Sequence, residues 1–156
     1  MTHANEHVNV YGKVIVEIHD ALTGKLKSRD VISNLVVDSG RAAIADALRG
    51  NLQNGRGVIT FAAVGTGSAS PTAGDVKLQT EIARKQVSIR SSSGKTASFK
   101  TFFNQTEANG VLREIGLFGD SADAVVDSGT LYARLNISRT KTSNDTLTIT
   151  HGITID

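Results

Sequence analysis

The residues of this chain whose types and spacing could do chemistry are charges set inside apolar stretches. Glu81-Ile-Ala-Arg84 is one such site, and Arg113-Glu114 within the run from Val111 to Phe118 is another. A charge held among apolar side chains must be paired, or it costs on the order of several kcal/mol. Glu81, Arg84, Arg113 and Glu114 are therefore expected to form structural ion pairs that lock a strand register or a subunit interface. A ligand-binding arginine is the weaker alternative. Gly65-Thr-Gly67-Ser68 follows the apolar run ending at Val64, as the start of a phosphate-binding loop would. It lacks the Lys-Ser/Thr pair of a Walker loop, and the third glycine and βαβ unit of a dinucleotide site. A tight turn leaving a strand is the expected outcome.

The remaining reactive residue types argue against catalysis. His3 and His7 have a metal-gripping i, i+4 spacing, but their segment shows no helical pattern and no third ligand. His151 falls on the apolar side of the last strand, where a hydrogen-bonded core or interface histidine is expected. No Gly-x-Ser-x-Gly elbow occurs, no histidine sits in a catalytic context, and nothing nominates an acidic pair. The absence of cysteine removes disulfides, thiolate zinc sites and cysteine nucleophiles together. The chain reads as non-enzymatic, with no catalytic residue, no cofactor and no metal.

Composition narrows the partners. The net charge is only +2 and the basic residues are scattered, which speaks against nucleic acid, whose readers usually show a basic stripe. Apolar runs are short, so no membrane-spanning helix is expected. The N-terminus has neither the basic start nor the apolar stretch of a secretory signal, so synthesis in the cytoplasm is expected. A carbohydrate-binding module is the alternative from another class. It would need exposed Trp or Tyr, and with no tryptophan only Tyr11 and Tyr132 could serve.

The elements that must position these residues are mostly strands. Residues 1–9 are polar and aperiodic and read as a flexible arm, ahead of a single β-rich domain over 10–156. From Val10, the positions Val14, Val16 and Ile18 alternate with Lys13, Glu17 and His19, the signature of a half-buried strand. A turn over Asp20 to Gly24 returns the chain as a second strand from Lys25 to Val37. The segment from about 39 to 49 is the one clear helix, with Asp38 or Ser39 as its cap and Gly50 ending it in the left-handed conformation. Ile44, Ala47 and Leu48 form the face that would dock on a sheet. Further strands are expected at Val58 to Val64, Lys85 to Ser91, Thr96 to Phe103, Val111 to Phe118, Leu131 to Ile137 and Leu147 to Ile155. The fold class is mainly β: about seven or eight strands forming an antiparallel β-sandwich or jelly-roll-like barrel with one short helix. A parallel α/β fold would need several crossover helices, and one is visible.

The order of these segments carries a resemblance. NLVVDSG at 34–40 leads into the Ala-rich helix, then come FAAVGTG at 61–67, a Pro-Thr-x-x-Asp loop at 71–75, Leu78-x-x-Glu81-x-x-Arg84, and LREIGLF at 112–118. This pattern resembles small virion proteins of tailed bacteriophages and the N-terminal domain of phage tail-collar fibre proteins, over about residues 34–155. The resemblance implies a β-rich assembly domain of the virion, made in the host cytoplasm. It implies no catalysis and self-association, most often as a trimer, with other virion proteins as neighbours. It also makes Glu81, Arg84, Arg113 and Glu114 its structural ion-pair positions. A tail, collar or fibre adaptor is the main expectation and a capsid decoration protein the second.

Overall fold

The computed structural model describes residues 7–52 and 57–156 of the chain. Nine strands and one helix follow in order: β1 (Val10–Asp20), β2 (Leu26–Val36), α1 (Asp38–Leu48), β3 (Ile59–Gly65), β4 (Glu81–Gln86), β5 (Ile89–Ser93), β6 (Thr96–Phe103), β7 (Gly110–Gly119), β8 (Thr130–Lys141) and β9 (Asp145–Ile155). The fold is mainly β, a nine-stranded antiparallel sheet curled into a half-barrel, with the ladder order β4-β3-β7-β8-β2-β1-β9-β6-β5. The curl turns the sheet's two halves toward each other around a common core.

That core follows from the period-two alternation of the strands. Val14, Val16 and Ile18 of β1 and Leu147 and Ile149 of β9 meet Val64 of β3, Ile115 of β7 and Leu135 and Ile137 of β8. The β1–β2 hairpin pairs Val14 with Ile32, and β1 pairs with β9 along its whole length from Val10↔Ile155 to Asp20↔Asp145. β2 then passes from one half to the other, since Leu35 and Val36 pair with β8.

Two expectations change. The segment expected as one strand from Lys85 to Ser91 is two. β4 pairs with β3 and β5 pairs with β6, while the amides of Val87 and Ser88 donate to Thr60 O and Lys100 O. The chain thus hands itself from one half of the sheet to the other, and the two ends of the ladder are one continuous segment.

The helix also differs in detail. Its N-cap is Val37, with no side-chain cap; the Asp38 amide donates to Ala73 O and the Ser39 hydroxyl to Leu131 O at 2.7 Å. Tertiary carbonyls have replaced local capping there. Gly40 is required by close approach, because a Cβ at that position would lie 2.3 Å from the Tyr132 carbonyl oxygen. The buried face runs through Gly40 and Ala43 with Ile44 packed beside them, whereas Leu48 points outward at 83% exposure. Gly50 ends the helix at φ +80°.

Candidate functional site

The outer face of β3, β7 and β8 is covered by two loops, 66–80 and 120–129, and each is held by a buried ion pair. Glu114 is fully buried on β7. Its Oε1 accepts from the amides of Gly67 (3.0 Å) and Thr80 (2.7 Å), and its Oε2 accepts from the amide of Gln79 (2.9 Å). Arg134, on the neighbouring strand β8 and 3% exposed, donates to the same Oε2 through Nε (3.2 Å) and Nη2 (2.9 Å). The guanidinium also donates to Asp75 Oδ2 (2.6 Å) and Ala69 O (3.0 Å). Burial pushes the Asp75 carboxyl up, but hydrogen bonds from Thr72 and Arg134 outweigh it and hold the group below its ordinary value. Gly65 and Gly67 exist for this contact: a Cβ on either would come within 2.5 Å of Glu114 Oε1. The glycine turn is thus a cradle for a protein carboxylate.

The second clamp is Glu81–Arg84 on β4. The register slips between Val64 and Gly65 of β3, pairing Ala83 with Val64 and Glu81 with Gly65. Ile82 is the extra residue of a bulge, which brings Glu81 and Arg84 to one face despite their spacing. Arg84 then grips Glu81 with two parallel bonds (Nε–Oε1 2.5 Å, Nη2–Oε2 2.8 Å). Its Nη1 donates to the carbonyls of Asp123 (3.1 Å) and Ser128 (3.0 Å) and to the Ser128 hydroxyl (2.8 Å). The guanidinium stacks 4.6 Å from the Phe118 ring centroid, a cation–π contact that desolvation strengthens. Glu81 also accepts from the Asp127 amide, so this pair holds the 123–128 part of the 120–129 loop.

Of the four residues singled out from the sequence, Glu81 and Arg84 meet each other and Glu114 meets Arg134. Arg113 is exposed, sits at the register slip between Leu112 and Glu114, and makes no ion pair among the described residues. Adjacency along a strand does not bring two side chains together, so a cross-strand residue takes the carboxylate instead. Arg134 carried the same signal as Glu114, a charge inside an apolar strand, and Asp75 carried the turn chemistry of Pro-Thr-x-x-Asp.

One end of the curled sheet is lined by further ions. Arg139 grips Asp30 through two bonds of 2.6 and 2.7 Å, Lys27 reaches Asp145 at 2.5 Å, and Lys85 bonds Glu107. The bond from Lys27 draws the Asp145 carboxyl down to about 2. The other end holds an apolar groove of about 320 Å³ between α1 and the ends of β6 and β9, lined by Ile44, Leu48, Phe99, Tyr132, Ile153 and Ile155. Tyr132 is 2% exposed and donates to Asp120, which leaves Tyr11 as the exposed tyrosine.

His151 is fully buried on the inner face of β9, opposite Val14 and Phe99. The expected hydrogen bond is missing: neither ring nitrogen has a partner among the described residues. Burial among apolar side chains lowers its pKa to about 3, so the ring is neutral. Thr101 Oγ1 and both amide atoms of Asn34 in the same half, and Asn136 Oδ1 on β8, also lie buried without partners among the described residues. His3 and residues 1–6 of the expected arm lie outside the described residues, while Asn9 exchanges backbone hydrogen bonds with Asp156. No group of three potential metal ligands occurs among the described residues.

Fold and site together define a class: a mainly β, antiparallel curled-sheet domain whose buried charges fasten its own loops. Compared with known protein families, curated proteins and solved structures, the chain matches none.

Proposed function

We propose that this chain is a non-enzymatic structural component of a tailed-phage virion, acting as a tail-, collar- or fibre-associated adaptor. On this reading it associates with itself, as a trimer, and with neighbouring virion proteins. The observation that carries the reading is where the motif residues are spent. Glu81, Arg84, Glu114 and both glycines of the VGTG turn, the residues behind the resemblance, are occupied in holding loops to one sheet face. Chemistry that saturates its polar groups internally is that of a rigid part rather than of a site awaiting substrate. The all-exposed edge strand β5 and the apolar groove beside α1 offer surfaces for contacts that symmetry would multiply.

The test is the copy number of the protein in purified particles, by quantitative mass spectrometry against the major capsid protein. A few to a few dozen copies are expected. A ratio near one per capsid subunit would replace the adaptor with a decoration protein, and absence from particles would end the virion assignment.

A further inference from the structure

At the ionic end of the sheet, one basic group is placed differently from the rest. Lys27, Lys85 and Arg139 each bond a carboxylate, whereas Lys141, 1% exposed at the end of β8, directs its Nζ at the side-chain carbonyl of Asn109, 2.8 Å away. The Asn109 amino group points the other way and donates to Gln105 O at 2.9 Å. Asn109 immediately precedes Gly110, the cross-strand partner of Lys141, so adjacent strands present the amine and the carboxamide to each other.

We propose that Lys141 and Asn109 become joined by an intramolecular isopeptide bond. The Lys141 Nζ lone pair attacks Asn109 Cγ; the Nζ–Cγ bond forms and the Cγ–Nδ2 bond breaks. Nδ2 takes up the proton that Nζ gives up and leaves as ammonia, with no change of oxidation state. Nζ lies 2.8 Å from Oδ1, one C=O bond from the carbon it attacks, and turning the amide about its Cβ–Cγ bond leaves Cγ in place while presenting its face to the amine. Burial lowers the proton affinity of Lys141 against the opposing pull of Asp145 and Glu107, which favours release of the proton that the attack requires. Glu107 and Asp145 are the carboxylates whose charges bear on Nζ. The product staples the 104–109 loop to the end of β8, a covalent brace in a chain that has no cysteine to supply one.

Intact-mass measurement of the purified full chain tests this. The expected mass is below the sequence mass by one ammonia, with a branched tryptic peptide joining the segments that contain Asn109 and Lys141. Lys141→Met and Asn109→Ala are each expected to restore the full mass. A wild-type chain at its full sequence mass would overturn the proposal. So would an ammonia loss that persists in Lys141→Met, which would belong to a cyclic imide formed with the Gly110 nitrogen.

Discussion

The two halves of the curled sheet solve the same problem in opposite ways. On the β3-β7-β8 half, both faces are covered, and the buried charges Glu114, Arg134, Glu81 and Arg84 are held by several hydrogen bonds each. On the β1-β9-β6 half, the outer face carries half-buried threonines and exposed residues such as Lys13, Tyr11 and Phe102. Its inner face carries Thr101 and His151, whose side-chain polar atoms have no partner among the described residues. The first half is specified mainly by directional bonds, with Asn136 Oδ1 its unpartnered buried atom among the described residues, and the second mainly by apolar packing that tolerates more such groups at a cost. Ions in the first half therefore set which loop lies where, while the two halves supply strands equally to the common core.

The ion-held half is most vulnerable at Arg134. Arg134→Met leaves Glu114 buried without its counter-ion and should destabilise the fold by about 3–5 kcal/mol, read from the denaturant midpoint. A loss no larger than that of a surface substitution would mean that the clamped half is not held by its ions. The second half should fail by pH instead. His151 ionises near 6.5 when unfolded and at about 3 when folded, so the unfolded chain binds the extra proton between those values. Stability is then complete above pH 6.5 and falls as the pH drops, by roughly 2–3 kcal/mol between pH 6.5 and 4.5. The carboxylates with lowered values, Asp30, Asp75, Glu107 and Asp145, give up their contributions only at lower pH. His151→Leu should flatten the unfolding curve across the upper window; an unchanged slope would show that the histidine is not the group responsible. The smallest effect belongs to the open face: Lys13→Gln should shift stability by less than about 0.5 kcal/mol.

Alternation made β1 and β9 legible, because their inward positions are apolar almost without exception. Glu81–Arg84 was visible as two charges in an apolar run, yet the sequence holds no sign of the bulge at Ile82 that makes them face each other. Arg134 shows as a charge in an apolar strand, but its pairing with Glu114 stayed hidden because strand neighbours are set by the ladder rather than by the chain, and β8 becomes the neighbour of β7 only after folding. The helix cap failed for a related reason: the distant carbonyl of Ala73 accepts from the Asp38 amide, and the carbonyl of Leu131 takes the Ser39 hydroxyl that would otherwise have served as a cap. His151 was placed on the correct face, but a missing partner is a property of the packed interior and leaves no trace in spacing.

The handover at Val87 and Ser88 has a kinetic meaning. The segment 81–93 completes the ladder at both of its ends, so neither margin of the sheet is finished until that one stretch has docked on β3 and β6. Most pairings here join residues far apart along the chain, as Val10 and Ile155 do. Such a topology must close long loops before it is rewarded, which favours a slow, all-or-none approach to the native state over the milliseconds-to-seconds range of about 10⁻³–1 s. In that process the segment shared by both halves, β4 and β5 together, acts as the latch.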